Sequence, residues 1–509
     1  MEKYLYQRNS SKNSNFVVWM AFPGIYSFAM ASLGYLWLFK ILDEQDDINV
    51  ERVCSDTEKT LYKVSDVSLI GFSFSFDMDF LNIFSMLEKY NIPLKAKDRE
   101  GLPLVFAGGP VVTCNPEPYK EIFDFFVIGD GEEVNLKAVK ICKTAKSKEE
   151  ALIKLSEIDG IYVPKYPKTV AKSVKKLTEC IYTPILSDNS FFKDTFIIEM
   201  ARGCANRCAF CLASYHNLPF RSVPYDNLLD AVQLGLENTN KIALLGAQLS
   251  AHPRFYDICK YIYDKVQNGS NIEMSVSSLR VDAIKPEVIK TLKACGQKNC
   301  TLAIEAGSER LRKVINKNLT EEQIFNAVKI ARENGLKGFK FYGMIGIPTE
   351  TQEDLNALID LAKRVKNENK GFDISFGFSS FVPKPNTPFQ WCGRDNTKNL
   401  EAKSAFLQKQ FHKLGINAQV SSIKWDYWQA VLSRGDGSFT DFLIEVYKQG
   451  GKLGAFKSSA KKYKIDSDYY ACANWDTDIE LPWDFISMRP GKEFLIKENQ
   501  SLLSVPSKT

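Results

Sequence analysis

Histidine is almost absent from this chain, and its absence limits the chemistry available to the first part of the sequence. The 509 residues contain 3 histidines, and none of them precedes position 216. Imidazole is the side chain that most often ligates a metal at neutral pH. Any metal-containing group bound by the residues before position 216 would therefore lack a histidine ligand.

An excess of charge of one sign is also lacking. The net charge is +5, the sequence pI is about 8.4, and charged residues make up 25% of the chain beside 45% hydrophobic residues. This composition is that of an ordinary globular protein and does not require a nucleic-acid partner. The length predicts roughly three domains of about 100–200 residues each.

The sequence lacks the signs of secretion. Twelve cysteines are present, but most are scattered singly, as Cys54, Cys142 and Cys259 are. This distribution does not suggest a disulfide framework and favours a reducing cytosol. The first fifteen residues are polar, without a basic region leading into a cleavage site, so we expect no signal peptide.

No uninterrupted apolar run of membrane length is present. The segment 16–39 carries no charge and would be long enough to span a bilayer, but Pro23-Gly24 breaks it and Gly34 interrupts the remainder. We expect a short buried strand over 16–22 and a helix over 32–42. A transmembrane segment is the disfavoured alternative.

What the sequence has in its first part is an alternation of strand-like and helix-like segments. Apolar runs suit strands that are buried on both faces, and helical patterns separate them, which predicts a Rossmann-like parallel sheet over 1–150. The strand-like runs are 16–22, 67–76, 103–107 and 124–128, and the helical patterns are 32–43 and 79–90.

Ligands of such sheets bind beyond the carboxyl ends of the strands, where glycine allows a ligand to approach the backbone. Each glycine taken alone is equally well explained as a plain turn. The candidate residues for a ligand cleft at these ends are Pro23, Gly24, Ser73, Ser75, Gly108, Gly109, Gly129, Gly131 and Glu132.

A second alternating series begins near residue 193, after a connecting segment over 151–192. Six strand–helix repeats predict a partial (β/α)6 barrel of the TIM type over 193–398, with its functional rim at the carboxyl ends of the strands. The strand-like runs are 195–200, 241–247, 272–277, 300–305, 338–345 and 373–380. Thr320 to Gln323 predicts a capping box that begins one helix, and Gly335 predicts its end.

From about residue 399 the alternation is lost. We expect a small α-rich C-terminal domain over 399–509 with its own aromatic core, and a frayed tail over 492–509. Trp425 and Trp428 could stack a nucleic-acid base, but they suit a helical core better.

Three clustered cysteines follow the first predicted barrel strand. Cys204, Cys208 and Cys211 have the spacing C-x3-C-x2-C, and no fourth cysteine follows nearby. Three thiolates would leave one iron of a cubane cluster without a protein ligand, and an open metal position is typical of catalysis. A zinc site that adds His216 as fourth ligand is the alternative, which the x3 gap disfavours.

This spacing, with Phe210 before the last cysteine and a strand before the first, resembles the signature of the radical S-adenosylmethionine (SAM) superfamily. The resemblance implies a 4Fe–4S cluster held by Cys204, Cys208 and Cys211, with SAM on the open iron. The reduced cluster would cleave SAM to a 5′-deoxyadenosyl radical that abstracts hydrogen from a substrate. It also implies an electron donor such as flavodoxin or ferredoxin.

The ends of the later barrel strands resemble the SAM-contacting segments of that family. Gln248 stands where the family usually has the glutamate of Gly-Gly-Glu, so the expected contact with the methionine amino group departs from the pattern. Arg280 would meet the methionine carboxylate, and Glu305 the ribose hydroxyls. For each polar residue the alternative is an ordinary loop or capping role. The cofactor-binding residues implied in this way are Phe210, Gly246, Gln248, Ser278, Arg280, Glu305, Gly343, Ile345 and Gly346.

The first domain resembles the cobalamin-binding type of domain that is fused to many radical enzymes. The motifs on which this resemblance rests are Gly108-Gly109-Pro110, Asn115-Pro116-Glu117-Pro118 and 128–133. The segment 381–391 resembles a barrel-exit motif of the same group of proteins. The Asp-x-His-x-x-Gly ligand motif is absent, so bound cobalamin would lack a histidine lower ligand. A cofactor-free sheet that serves as a platform is the alternative.

The sequence thus leaves three functions open. The first is a radical SAM enzyme that performs cobalamin-dependent methyl transfer, the second is a cobalamin-free radical SAM enzyme that modifies RNA or a sulfur-containing substrate, and the third is a non-enzymatic iron–sulfur sensor or scaffold. A sensor would not need sites for ribose, adenine and carboxylate beside its cluster. The substrate, whether small molecule, RNA or protein, is not predicted.

Overall fold

The computed structural model of the chain describes residues 1–8, 14–101, 103–277 and 279–506. Its first sheet has six strands, all parallel except the last, which runs antiparallel to its neighbour. In spatial order the strands are Asn49–Cys54, Val17–Phe22, Val67–Ser73, Leu104–Gly108, Phe125–Val127 and Ile161–Tyr162. Helices cover both faces of the sheet, which explains why its central strands are apolar throughout. These helices are Tyr26–Ala29, Leu33–Asp43, Phe80–Lys89, Pro110–Cys114, Glu132–Thr144 and Lys148–Ser156.

The four predicted strands and both predicted helices of this region are present, and two further strands were not predicted. The edge strand Asn49–Cys54 contains two adjacent charged residues, which hide its strand pattern. One of them, Glu51, is nevertheless buried, because it accepts hydrogen bonds from Trp19 Nε1 at 2.9 Å and from the backbone N of Leu61. Such a partner cannot be found from the local sequence.

The uncharged segment 16–39 is divided between the strand Val17–Phe22 and two helices rather than forming one span. Among the described residues, no helix is long and apolar enough to cross a membrane.

The second part of the chain forms two parallel sheets that a single bridge between Leu279 and Leu302 joins into one arc. The first contains Thr195–Glu199, Lys241–Leu245 and Glu273–Val276, and the second contains Asn299–Glu305, Gly338–Ile345, Asp373–Ser380 and Asn417–Val420. The six predicted strands occur in the predicted order, and the TIM-like fold is confirmed. The seventh strand, Asn417–Val420, pairs with Asp373–Ser380 and extends the arc beyond position 398. The domain limits themselves stay a prediction.

Helices of the arc lie between successive strands. They are Tyr225–Asn238, Phe255–Gln267, Pro286–Ala294, Glu309–Val314, Glu321–Glu333, Gln352–Glu368 and Thr397–Lys413. The predicted capping box is present, since Thr320 and Gln323 exchange side-chain hydrogen bonds with each other's backbone N–H. The helix ends at Glu333, and Gly335 adopts a left-handed φ of +84°. Both ends follow from local sequence chemistry.

The C-terminal region is helical, as predicted, but it has no separate core. Its helices are Ile423–Arg434, Phe439–Lys448, Leu453–Lys462, Ser467–Ala471 and Lys492–Leu503. Trp428, Phe456 and Trp483 lie in the same buried cluster as Trp19 and Phe84 of the first sheet. The prediction of an independent core is therefore wrong, because the apolar faces of these helices pack on the N-terminal sheet and its helices.

The tail prediction is also wrong for most of its length. Residues 492–503 form a helix whose Leu495 and Asn499 are buried. The Asn499 amide donates to the carbonyl of Pro388 at 2.8 Å and approaches Cys392 Sγ at 3.5 Å. These contacts fix the helix against the barrel exit, so it is not frayed.

Short elements connect the larger units. Glu2–Tyr4 pairs with Ile185–Ser187, Val170–Ala171 with Ile486–Ser487, and Ala201–Arg202 with Arg221–Ser222. The remaining short helices are Leu212–Tyr215 and the 3-10 turns Val64–Asp66, Asp77–Asp79, Ala96–Asp98, Glu117–Tyr119, Leu249–Ala251, Val281–Ala283 and Pro388–Trp391. The connecting segment is thus tied to both ends of the chain.

Replacement of Phe456 by alanine tests the shared core. Phe456 is fully buried, with its ring centroid 5.0 Å from that of Trp428 and 6.1 Å from that of Phe80. We expect Phe456→Ala to lower the free energy of unfolding by about 3–5 kcal/mol, because it leaves a cavity between the two regions. Urea unfolding followed by circular dichroism measures the effect. Phe192→Ala, at a position that is 52% exposed, should change it by less than about 0.5 kcal/mol.

Candidate active site

The three cysteines lie in a loop at the carboxyl end of the first barrel strand. The strand Thr195–Glu199 leads into the short pair formed by Ala201–Arg202 and Arg221–Ser222. Gly203 then turns the chain with a φ of +84°, and a Cβ there would lie 2.4 Å from the carbonyl oxygen of Asn217. Glycine is therefore required directly before Cys204.

All three thiols are held away from solvent. Cys204 and Cys208 are buried and Cys211 is half-buried, and all twelve cysteines of the chain are free. Burial raises the pKa of Cys208 to about 12 and also raises the pKa of Cys211, although hydrogen bonds from Ser214 and the backbone of Ala213 oppose it there. Buried thiols of this kind become thiolates when a metal compensates the charge, so the donor set suits an iron–sulfur cluster.

Hydrogen bonds from neighbouring segments hold the cysteine loop at Arg207 and at Ala209. The carbonyl of Arg207 accepts from Tyr215 Oη at 3.1 Å and from Asn316 Nδ2 at 2.8 Å. The backbone of Ala209 donates to Ile315 at 3.0 Å and accepts from Phe389 of the predicted barrel-exit motif at 3.2 Å. The loop is thereby fixed before any ligand arrives, which is what a cluster site requires.

Gln248 follows the second strand and lies beside the first cysteine. Its Oε1 accepts from Asn206 Nδ2 at 2.6 Å and is 3.5 Å from Cys204 Sγ. Gly246 lies at the same strand end, where an added Cβ would lie 3.3 Å from the carbonyl of Ala201. Asn206 was missed by sequence reasoning, although it lies between two of the cysteines.

Glu305 lies at the end of the fourth strand with a left-handed φ of +64°, which a non-glycine residue adopts only when its surroundings impose it. Its carboxylate is 2.9 Å from Lys317 Nζ, and both side chains are largely buried. Lys317 also lies close enough to Cys208 to oppose the rise of that thiol's pKa. Lys317 was missed, since only the tertiary structure brings it to this strand end.

Arg280 lies near the cysteines but has a partner of its own. It forms a salt bridge with Asp282 at 3.0 Å. Burial opposes its charge, while Asp282 and the neighbouring Cys208 and Cys204 raise its pKa. Its role as a contact of the methionine carboxylate stays a prediction, as does that of Ser278, which lies outside the described residues.

The segment after the fifth strand presents backbone rather than side chains. A Cβ on Gly343 would lie 2.6 Å from the Phe378 ring, and Gly346 has a φ of +71°. Ile345 is fully buried in the barrel core, so only its backbone is available to a ligand. Phe210 packs beside the small buried cluster that contains Met344.

His216 does not join the cysteines. It is buried, its Nε2 is 3.0 Å from the carbonyl oxygen of Pro385, and its ring nitrogens are 3.5–3.6 Å from Cys114 Sγ. Burial lowers its pKa to about 4, so the ring is neutral. In the parts of the chain that the structure describes, no group of three His, Cys, Asp or Glu side chains is arranged to hold a single metal ion. His216 thus contacts Pro385 and Cys114, whereas a zinc site would require it to lie with the three cysteines of the loop.

A cleft opens at the carboxyl edge of the first sheet. It has a volume of about 310 Å³, and Ser73, Ser75, Gly108, Gly109, Gly129 and Gly131 line it, as the sequence predicts. Pro23 and Gly24 are not among its lining residues, and Glu132 lines a neighbouring cavity instead. Pro23 and Gly24 follow the strand Val17–Phe22, second from one edge of the sheet, where the Pro23 carbonyl accepts a hydrogen bond from Asn82.

The neighbouring cavity, of about 270 Å³, extends from this cleft to the end of the first barrel strand. It shares Gly34, Leu38, Gly129 and Gly131 with the cleft and is also lined by Glu199, Arg202 and Leu245 of the barrel rim. Arg202 of the barrel rim contacts the first domain. It forms salt bridges of 2.8 Å to Glu132 and 3.0 Å to Asp130 of that domain, and one of 2.8 Å to Glu199 of the first barrel strand. The two predicted ligand sites therefore face each other.

The cleft has features that fit a large polar cofactor. Trp37 Nε1, Glu132 Oε2 and Asn135 Oδ1 are buried and have no hydrogen-bond partner among the described residues. They line the cleft or the cavity beside it. Gly34 is the second residue of a helix there, and a Cβ on it would have open space. One unpartnered acceptor thus lies in the cleft, and an unpartnered donor and a second acceptor lie in the cavity beside it.

The fold and the site define a two-part enzyme in which a parallel sheet domain faces a cysteine loop on a barrel rim. Comparison with known families identifies the class: residues 198–362 match the family model "Radical SAM superfamily", and residues 34–164 match "Radical SAM proteins, N-terminal". The chain belongs to the radical SAM superfamily, whose members use a 4Fe–4S cluster and SAM. The predictions of family, fold class and enzymatic nature are confirmed.

Individual relatives agree with this assignment. An uncharacterized protein of Methanocaldococcus jannaschii is 32% identical over 381 residues, which cover 72% of this chain and 80% of that protein. An uncharacterized methyltransferase of Pyrococcus horikoshii is 26% identical over 67% of this chain and 75% of its own length. A solved structure of the radical SAM methyltransferase TsrM from Kitasatospora setae, with cobalamin and a 4Fe–4S cluster bound, has a TM-score of 0.56 at 11% identity, and covers 89% of this chain and 99% of that one. At this identity the last comparison concerns the fold alone.

Iron binding tests the assignment of the cysteines. We expect the chain to hold about four irons after anaerobic reconstitution, and the triple replacement of Cys204, Cys208 and Cys211 by alanine to hold none. Iron and sulfide analysis with absorbance spectra measures this. Two irons per chain, or zinc alone, would contradict the assignment. The control is the same triple replacement at buried cysteines outside the loop, namely Cys54, Cys142 and Cys259.

Proposed function

We propose that this protein is a cobalamin-dependent radical SAM methyltransferase. The observation that carries the proposal is the space that runs from the cleft of the first sheet, through the shared Gly129 and Gly131, to Arg202, two residues before the first cysteine. Methyl transfer needs a methyl carrier close to the point where a substrate radical arises. The names of the TsrM structure and of the Pyrococcus relative support the same reaction class.

In this proposal Cys204, Cys208 and Cys211 hold the cluster, and the missing fourth protein ligand leaves a position for SAM. When bound, the reduced cluster supplies the electron that cleaves SAM to methionine and a 5′-deoxyadenosyl radical. The protein's own task is to orient SAM and exclude water. The buried loop and its hydrogen bonds at Arg207 and Ala209 serve that task.

The residues around the loop would hold the rest of SAM. Gln248 faces the amino group, Glu305 accepts from the ribose hydroxyls, and Arg280 attracts the carboxylate. Lys317 fixes the direction of the Glu305 carboxylate through its ion pair. The backbone-presenting residues Gly246, Gly343, Ile345 and Gly346, with Ser278 and Phe210, complete the proposed pocket.

Cobalamin would lie in the cleft of the first sheet. The glycines at the strand ends let a flat macrocycle approach the backbone, and the unpartnered polar atoms of Trp37, Glu132 and Asn135 suit its amide groups. Because no histidine precedes position 216, the first domain would offer cobalt no histidine. Bound cobalamin would supply the methyl group for a substrate held between the two domains.

An electron donor such as flavodoxin or ferredoxin would reduce the cluster. We place the protein in the cytoplasm, because twelve free cysteines and an iron–sulfur cluster suit a reducing compartment. The substrate class stays open. Mass spectrometry of metabolites and RNA nucleosides from a deletion strain and its parent would reveal the substrate. The substrate is the molecule that is methylated in the parent and not in the deletion strain.

Filling the cleft from Gly34 tests the cobalamin site. We expect Gly34→Leu to abolish retention of hydroxocobalamin after desalting, because the new side chain would enter the cleft without striking the fold. Gly454→Leu is a matched control, since Gly454 is also the second residue of a helix and also has open space at its Cβ. The corrin absorbance bands measure binding. A wild-type chain that retains no corrin band would favour the cobalamin-free enzyme instead.

SAM cleavage tests the radical chemistry separately from cobalamin. With dithionite and SAM, we expect the reconstituted protein to release 5′-deoxyadenosine, and Glu305→Gln to reduce the yield at least about tenfold by weakening the ribose contact. Liquid chromatography with mass spectrometry measures the product. Release of 5′-deoxyadenosine supports the radical class whether or not cobalamin is bound. No release from a protein with about four irons would contradict both the radical class and the methyltransferase.

A further inference from the structure

The side chain of Asn206 bridges a cysteine and the residue that departs from the family pattern. Its Nδ2 is 2.6 Å from Gln248 Oε1 and 3.9 Å from Cys204 Sγ. A carboxamide nitrogen carries two N–H groups. The short bond to Gln248 keeps this nitrogen near the sulfur, where an N–H can turn toward a thiolate.

The three cysteines differ in what faces them. Hydrogen bonds at Cys211 come from Ser214 and the backbone of Ala213, and Cys208 has the ammonium of Lys317 nearby. Cys204 has the Asn206 amide nitrogen at 3.9 Å and the Gln248 oxygen at 3.5 Å, next to each other. Among the described residues, Asn206 is therefore the side-chain amide donor to a thiol of this loop.

Ligation would increase the importance of this contact. As a thiol, Cys204 can donate its proton to Gln248 Oε1, but a thiolate cannot, and its charge would then face an oxygen. The Asn206 nitrogen lies beside both atoms and can donate to the thiolate. A hydrogen bond to an ionised acceptor is stronger than one to a neutral acceptor. The stabilisation that Asn206 provides would therefore be largest when the cluster carries the most negative charge.

We propose that Asn206 raises the reduction potential of the cluster by an N–H···S hydrogen bond to the Cys204 thiolate, with Gln248 as its positioning residue. Hydrogen bonds to the sulfurs are among the factors that set the potential of iron–sulfur clusters. Reduction adds one negative charge, which the donor stabilises. The neutral amide of Gln248 anchors Asn206 without adding the negative charge that a glutamate would bring. The inference rests on the proposed cluster ligands and does not depend on cobalamin.

The experiment is an anaerobic redox titration of the reconstituted full-length protein without SAM, followed by electron paramagnetic resonance. We expect Asn206→Ala to reduce the equilibrium constant for cluster reduction about tenfold, which is about 59 mV for a one-electron couple. Gln248→Ala should give a smaller shift in the same direction, because the amide remains but loses its anchor. Tyr215→Phe is the control: it removes a hydrogen bond to the same loop, at Arg207, without removing a donor to a thiol.

Asn206→Ala with about four irons and the wild-type potential would overturn the inference. Where Asn206→Ala loses iron, Gln248→Ala decides: a lowered potential supports the inference, and an unchanged potential overturns it. An equal drop in Tyr215→Phe would also overturn it, because loosening of the loop would then explain the shift. Iron analysis of the wild type separates these results from failure of the proposed ligand set, which would give fewer than about four irons.

Discussion

The arrangement of the active site depends on the guanidinium of Arg202. It lies two residues before Cys204 and pairs with Asp130 and Glu132 of the first domain and with Glu199 of the first barrel strand, at 2.8–3.0 Å. These groups are largely withdrawn from water, and their charges are tolerable only while they remain paired. Separation of the two domains would break the pairs of Arg202 with Asp130 and Glu132. The ion cluster therefore keeps the cleft of the sheet against the cysteine loop.

The rest of the chain maintains the same relation through packing. The C-terminal helices share one core with the N-terminal sheet, and Lys384 of the barrel exit pairs with Asp77 at 2.9 Å and donates to Ser433 at 2.6 Å. The chain thus returns to its first domain after completing the barrel. The C-terminal region thus makes apolar contacts with the first domain, and an ion pair joins the barrel exit to the same domain. It stabilises the position of the two domains and is not a separate module.

Much of this could be predicted because the signals are local. Strands buried on both faces have continuous apolar runs, and the three cysteines lie within eight residues of one another. The edge strand Asn49–Cys54 was not predicted because it contains the charged Glu51, whose burial depends on a hydrogen bond from the distant Trp19. The helix Lys492–Leu503 was not predicted because the partners of Asn499, at Pro388 and Cys392, lie more than a hundred residues away. Lys317 was not predicted for the same reason.

The sequence by itself determined the class of the protein, because the cysteine spacing and the order of strands and glycines are properties of short segments. It also determined that no histidine of the first domain can bind cobalt. Only the tertiary structure decided that the cavity beside the cleft reaches the barrel rim, that Arg202 pairs with residues of both domains, and that Asn206 and Gln248 meet at Cys204. The physical reason is that charge pairing, hydrogen bonding and shared burial act between residues that are remote in the chain, where a local pattern carries no information.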